Sequence, residues 1–316
     1  MSRVVAVTGA TGFIGQTICR LLQADGWRVR ALVRSQGGGR ALRDIVDERV
    51  SGDLENPPVL DSLVAGSYAV VHCAGVVRGA TQQAFDRVNV GGLENLVNAI
   101  AGLACPPRLL CLSSLAAREP GLSFYAASKR RGEQVLEQRV NEIDWIALRP
   151  PAVYGPGDRE LFPLFRLMGR GIAPVPGVSG ARFSMIYVDD IARAVLAWLQ
   201  QDDPVPSGVY SLHDGRQGGY SWNDVCDTVA ALCQRRVRQF AVPPAVLAVP
   251  AWLNRSAARW LHHAPMLTPE KLRELRHPDW VCDNDAIQAG LARQPRAQLA
   301  DGVRVARVWG PGVGRV

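Results

Sequence analysis

The first fifteen residues restrict the fold more than any other part of the chain. An apolar run from Val4 to Thr8 meets Thr8-Gly9-Ala10-Thr11-Gly12-Phe13-Ile14-Gly15, a G-x-x-G-x-x-G turn, and helical periodicity follows from Gly12 to Gln23. A second apolar run, Arg28 to Val33, completes a strand, turn, helix, strand unit. At such a junction the first glycine permits the tight turn and the second lets the backbone approach a pyrophosphate. The third lets the helix pack closely on the strand. The first amides of the helix then face phosphate charge, which the helix dipole favours. A glycine triplet alone says little; its place between a strand and a helix is what marks a dinucleotide site.

The alternation continues. Strand-like runs occur at Ala69–Cys73, Arg108–Ser113 and Trp145–Arg149, with helix-like stretches at Asn89–Ala101 and Ala126–Arg139 between them. Repeated alternation with largely apolar strands predicts an α/β chain of the Rossmann type, a doubly wound parallel sheet covered on both faces. After Pro150 the texture changes: prolines and glycines cluster, and helices are expected at Val188–Gln200, Trp222–Cys233 and Pro269–Leu275. Residues 1–150 are therefore expected to form the NAD(P)-binding domain. Residues 151–316 would form a smaller substrate-binding lobe interleaved with the sheet. From Ala292 onward the pattern is weak.

Composition narrows the class. The 36 basic residues outnumber 29 acidic ones, but only Lys129 and Lys271 are lysines. No basic run interleaves with aromatics, so a nucleic-acid partner is not expected. The seven cysteines are odd in number and form no C-x-x-C, which reads as reduced thiols in a cytoplasmic protein. The chain opens on a strand without a charged and apolar leader, and no apolar run reaches spanning length, so neither a signal peptide nor a transmembrane segment is expected. Phe240 to Leu253 is apolar but broken by Pro243, Pro244 and Pro250, and reads as a core or lid segment. His262 and His263 have no carboxylate or cysteine at ligand spacing, so no metal is expected.

Chemistry-bearing residues fall at strand ends. Arg34 follows the second strand, where NAD-selecting sites carry a carboxylate, and with Ser35 it suits the 2′-phosphate of NADP. Asp53-Leu54, beyond an expected third strand, suits the adenine. Tyr125 and Lys129 stand at i and i+4, on one face of a helix. A cation there stabilises phenolate and lowers the phenol toward the working pH, which suits an acid/base exchanging a proton with a hydroxyl during hydride transfer. Ser113-Ser114 ends the preceding strand on the same side of the sheet, where ligands bind in such folds.

The glycine turn, the strand-end serine and Tyr-x-x-x-Lys, in this order and at these spacings, resemble the extended short-chain dehydrogenase/reductases, the NAD-dependent epimerase/dehydratase family. Val71-His72-Cys73-Ala74-Gly75, Asn89 opening the next helix, Arg149-Pro150-Pro151-Ala152-Val153-Tyr154-Gly155-Pro156-Gly157 and Tyr187-Val188-Asp189-Asp190 extend the likeness, which runs from Arg3 to Arg193 and more weakly to Asp283. The resemblance implies that Gly9, Gly12 and Gly15, with Thr11, Phe13 and Ile14, hold the pyrophosphate. It implies that Arg34 selects the 2′-phosphate, that Asp53 and Leu54 border the adenine, and that Cys73, Ala74 and Gly75 run under the cofactor. Tyr125 would be the acid/base, Lys129 would bind the nicotinamide ribose and tune Tyr125, and Ser114 would orient the substrate. Pro150 and Val153 would contact the nicotinamide end.

Two departures matter. Nucleotide-sugar enzymes of the family often carry Asn where this chain has Ala152, and alanine offers no amide to a diphosphate-linked substrate. Leu115 and Ala116, next to the serine, supply no extra acid/base pair for dehydration. The expectation is thus an NADP(H)-dependent oxidoreductase for a secondary alcohol or ketone of an apolar substrate, close to the 3β-hydroxysteroid dehydrogenase-like and dihydroflavonol reductase-like branch. A nucleotide-sugar epimerase with tightly bound NAD and a non-catalytic cofactor-binding protein stay open. A homodimer is compatible with the resemblance. Arg182 and Tyr187 are candidates for the substrate cleft, with strand packing the favoured reading, and His72 is expected to pack beside the cofactor.

Overall fold

The structure, a computed structural model, describes residues 3–34, 42–176, 178, 180–243, 268–291 and 295–307. Alternating side chains of β1 (Val4–Thr8) enter two cores at once: Val5 and Val7 join one, and Ala6 joins the other. A strand buried on both faces belongs at the centre of a sheet covered on both sides. Around it run β2 (Arg28–Val33), β3 (Glu48–Ser51), β4 (Ala69–His72), β5 (Arg108–Leu112) and β6 (Trp145–Arg149). The chain then forms β7 (Ala152–Tyr154), β8 (Ile172–Val175), β9 (Arg182–Phe183) and β10 (Met185–Tyr187) before β11 (Gly208–Ser211) returns to the sheet. The seven-stranded order is β11-β6-β5-β4-β1-β2-β3, parallel throughout. Strand order reverses between β1 and β4, and a crevice opens there beyond the carboxyl ends.

The first helices are α1 (Phe13–Ala24), α2 (Pro57–Val64), α3 (Gln82–Asp86), α4 (Gly92–Ala101), α5 (Phe124–Glu137), α6 (Phe162–Met168) and α7 (Val188–Gln200). Ile18 and Leu22 of α1 pack with Ile191 and Val195 of α7 on one face of the sheet. Leu60 and Leu63 of α2, Leu96 and Val97 of α4 and Leu136 of α5 cover the other. Both α7 and β11 lie beyond residue 150, so the second half of the chain supplies part of the sheet and its cover.

A smaller third core gathers Tyr154, Met168, Tyr187, Tyr220 and Val225. It is built from α6, β7, β8, β10, β12 (Tyr220–Ser221) and α8 (Trp222–Cys233), with Phe183 of β9 packed against it; β13 (Arg238–Ala241) pairs with β8, β14 (Asp279–Trp280) pairs with β9, and α9 (Pro269–Arg276) precedes β14. A capping box starts α8: Ser221 Oγ accepts from Asp224 N, and Asp224 Oδ2 accepts from Ser221 N. Of the last helices, α10 (Asp285–Leu291) sends Ile287 and Leu291 into the sheet core, and α11 (Leu299–Arg307) sends Leu299 and Val303 into the third core. Order therefore extends past Ala292, where the sequence pattern is weak.

Two expectations need correction. Asn89 does not open a helix: Thr81 caps α3, and the helix runs on through one π turn, Arg87–Gly91, into α4. The wide turn swings the Asn89 side chain against Val76, as such bulges do near functional sites. The stretch beginning at Phe240 starts in β13, which pairs with β8, and Phe240 is exposed. Residues 244–253, like Ser35, His262 and His263, lie outside the described residues.

Candidate active site

The turn after β1 is shaped for close backbone approach. Gly9 has φ +70°, and a Cβ there would lie 2.5 Å from the amide nitrogen of Ala74; one at Gly15 would lie 2.2 Å from the Gly9 carbonyl oxygen. Neither position admits a side chain. No side chain caps α1 at Gly12, and its first turn carries no acidic residue, so its leading amides are left for an anion. A groove of about 290 Å³ opens here, lined by Gly9, Thr11 and Gly12 on one side and Cys73, Ala74 and Gly75 on the other. Arg34, Asp53 and Leu54 close its far end, with Glu55 and Arg87, which the sequence reading had passed over. Phe13 and Ile14 open α1, and Ile14 packs toward the sheet core; with Gly15 they lie outside the groove lining. Bare amides, a terminal cation and a carboxylate together fit an adenine dinucleotide.

The floor is neutral. Thr8 Oγ1 pairs with His72 Nδ1 at 2.8 Å and accepts from Ala74 N. Burial pushes His72 down to about 3, with Lys129 adding to the effect, so the ring is uncharged at neutral pH. Burial likewise raises the Cys73 thiol well above its ordinary value, with Cys19 and Cys111 contributing.

At the other end, Ser123 caps α5 by accepting from Ala126 N, and this sets Tyr125 in the first turn. Successive residues after β5 point opposite ways. Ser113 Oγ donates to Glu133, which is buried and bridged to Arg149 at 2.5 and 2.7 Å. Ser114 instead lines a cavity together with Tyr125, its Oγ accepting from Ala116 N. Lys129 Nζ donates to the Leu112 carbonyl at 2.9 Å and lies 3.2 Å from where a Gly75 Cβ would be, beside the groove floor. Asn89 holds the same floor strand: its Oδ1 accepts from Val76 N, and its Nδ2 donates to Val76 O and Ser128 Oγ.

Tyr125 is pushed up to about 12, first by burial; the nearby Ser114 hydroxyl opposes this, and the Glu274 carboxylate adds to it. The Lys129 ammonium is directed at Leu112 O, and burial lowers its own pKa. In the chain by itself the lysine does not bring the phenol toward neutrality.

The cavity next to Ser114 and Tyr125 measures about 230 Å³. Leu161, Leu164, Phe165, Met185, Trp222 and Trp280 make it apolar, with Pro151 and Ala152 near the tyrosine. Pro150 and Val153 are not among its lining residues: Pro150 O accepts from Leu115 N, and Val153 packs toward the sheet core. Arg182 and Tyr187 are likewise outside it. Arg182 donates to the Gly218 and Gly219 carbonyls, and Tyr187 is buried against Tyr154. Lys271 and Glu274 of α9 do line it and escaped the sequence reading, although the scarcity of lysine was a usable signal.

The sequence model of the NAD dependent epimerase/dehydratase family matches residues 5–212. A ceramide reductase of Caulobacter vibrioides is 38% identical over 291 residues, 91% of this chain and 89% of that protein. A 2-alkyl-3-oxoalkanoate reductase of Stenotrophomonas maltophilia is 31% identical over 212 residues, 60% of this chain and 63% of that protein. Among solved structures, MoeE5 in complex with UDP-glucose and NAD superposes with a TM-score of 0.73 at 22% identity, covering 98% of this chain and 100% of that one, a likeness of fold. The chain belongs to the NAD dependent epimerase/dehydratase family and is an NAD(P)-dependent oxidoreductase of the extended short-chain dehydrogenase/reductase type.

Proposed function

We propose that the protein is an NADPH-dependent reductase that converts a ketone on a long-chain lipid of the ceramide class to the secondary alcohol. The observation that carries this reading is that Ser114 and Tyr125 line one largely apolar cavity together. The 38% identity to a ceramide reductase supports the lipid class. Bound NADPH supplies a hydride to the carbonyl carbon. Tyr125 gives its phenolic proton to the oxygen that gains charge, and Ser114 hydrogen-bonds that oxygen and orients it. A phenol at about 12 is fully protonated at neutral pH, yet remains a far stronger acid than the alcohol it forms. Its raised pKa therefore suits the reductive direction. Lys129, held at Leu112 O beside the Gly75 strip, would bind nicotinamide ribose hydroxyls, and Arg34, in the groove lining, would pair with the 2′-phosphate. Ala152 and the apolar lining weigh against a sugar diphosphate, which needs polar partners.

The test is NADPH consumption monitored at saturating long-chain ketone, for wild type and Tyr125→Phe. Stoichiometric NADPH oxidation is expected, and the variant should lose roughly 10²–10⁴-fold in kcat while still binding NADPH. Wild-type kcat in the variant, or epimerisation of a nucleotide sugar without net NADPH use, sinks the reading.

A further inference from the structure

Both lysines of the chain belong to the neighbourhood of Tyr125. Lys129 stands one turn along the same helix, and Lys271 Nζ lies over the Tyr125 ring, 5.7 Å from its centroid. Lys271 and Glu274 are the charged pair in the lining of the apolar cavity. Glu274, buried, accepts from Ser123 Oγ on one oxygen and from Lys271 Nζ at 2.6 Å on the other. The residue that caps α5 thus also anchors the carboxylate that aims the ammonium.

We propose that Lys271 is a specificity-determining residue. It hydrogen-bonds a neutral carbonyl oxygen one carbon removed from the ketone, so that the preferred substrate is a 3-oxoamide. The inference rests on the reductase reading above. An ammonium has three donors, and the Glu274 contact occupies one of them. The Lys271 side chain is still 41% exposed, so it can turn its remaining donors into the cavity without leaving its partner. Charge fixes the kind of acceptor. Paired with Glu274, the site carries no net charge, and a substrate carboxylate would meet Glu274 as well as Lys271. An amide oxygen takes the hydrogen bond without that repulsion. An isolated ketone forgoes that hydrogen bond and leaves the partly exposed Lys271 donors to water and Glu274, so it is bound less tightly than the amide.

The experiment compares 3-oxododecanamide, 3-dodecanone and 3-oxododecanoate with wild type, Lys271→Met and Lys271→Arg. NADPH titration first establishes that each variant is folded and binds cofactor. In wild type the amide should have the highest kcat/KM. Lys271→Met should lower the amide-to-ketone ratio on the order of tenfold, chiefly through KM, as loss of a charge-assisted hydrogen bond requires. Lys271→Arg should restore part of it. In parallel, 3-hydroxydodecanamide is titrated with NADP+ present, read by fluorescence of Trp222 and Trp280, which line the cavity. Its affinity should fall in Lys271→Met by a similar factor. An unchanged ratio and unchanged affinity overturn the role of Lys271, and preference for the oxoacid overturns the charge argument. If wild type consumes no NADPH with any ketone, the reductase reading fails; the fluorescence titration then still decides whether Lys271 recognises the amide.

Discussion

At Arg34 the groove ends on a cation, where an NAD-selecting site needs a carboxylate for the ribose hydroxyls. A guanidinium can take a phosphate through two parallel N–H donors, which a hydroxyl at the same position does not reward. Replacing Arg34 with Ser should therefore weaken NADPH roughly 10–100-fold, the worth of a charge-assisted hydrogen bond, and leave NADH nearly unaffected. Calorimetric titration with both cofactors measures this directly. Equal losses for the two would mean that Arg34 shapes the groove without reading the phosphate. Candidates could be singled out at this level because Ser114 and Arg34 follow strand ends and Tyr125 opens a helix that also carries Lys129. Their electrostatics were not legible. The i, i+4 spacing placed Lys129 beside Tyr125, but it could not reveal that Leu112 O draws the ammonium or that Glu274, 149 positions away in sequence, faces the phenol.

On the scale of elements, β1 and β4 are joined at their carboxyl ends by Thr8 and His72, directly below the turn that receives the cofactor. The folded-state pKa of His72 is about 3 against an ordinary 6.5, so the unfolded chain binds more protons between those values. Stability from this group is complete above 6.5 and is lost as pH falls toward 3, with a slope approaching about 1.4 kcal/mol per pH unit. Urea unfolding of wild type and His72→Asn at pH 7, 6 and 5 should show a steeper acid decline in wild type. Parallel curves would mean that the ring gains its proton in the folded protein. The elements themselves were readable where local pattern decides them, as in β1, α1 and β4, whose apolar spacing and glycine turn are contained within short windows. The π turn at Asn89 was not. Its cause is a tertiary demand, three hydrogen bonds to Val76 and Ser128, and no local preference announces it.

Over the whole molecule, the cofactor groove and the substrate cavity differ in how their walls are assembled. The groove is made largely by consecutive strand ends of one sheet, so most of its lining could be read from sequence, Glu55 and Arg87 excepted. The cavity collects Leu161 to Phe165, Phe183 to Met185, Trp222 and the 271–280 segment, which are apolar or charged for reasons visible only after folding. Arg118 ties the two regions together. It leaves the short helical turn after Ser114, donates to the carbonyls of Asp279 and Val281, and lies over Trp280 with its guanidinium carbon 5.5 Å from the ring centroid. Trp280 in turn donates to the Glu274 carbonyl, so the same contacts that fasten β14 also steady α9 and its charged pair. Arg118→Ala removes two charge-assisted hydrogen bonds and a cation–π contact, which should cost about 2–4 kcal/mol of stability at this partly exposed site. The functional consequence should be uneven. KM for the ketone should rise on the order of tenfold because the cavity wall loosens, while NADPH affinity changes by less than about twofold because the groove does not depend on Arg118. Steady-state kinetics with the long-chain ketone, set beside NADPH titration of the same preparation, separates the two. A loss of NADPH affinity in step with the rise in KM would mean that the sheet and the smaller lobe respond as one rigid unit and that Arg118 acts on both sites alike.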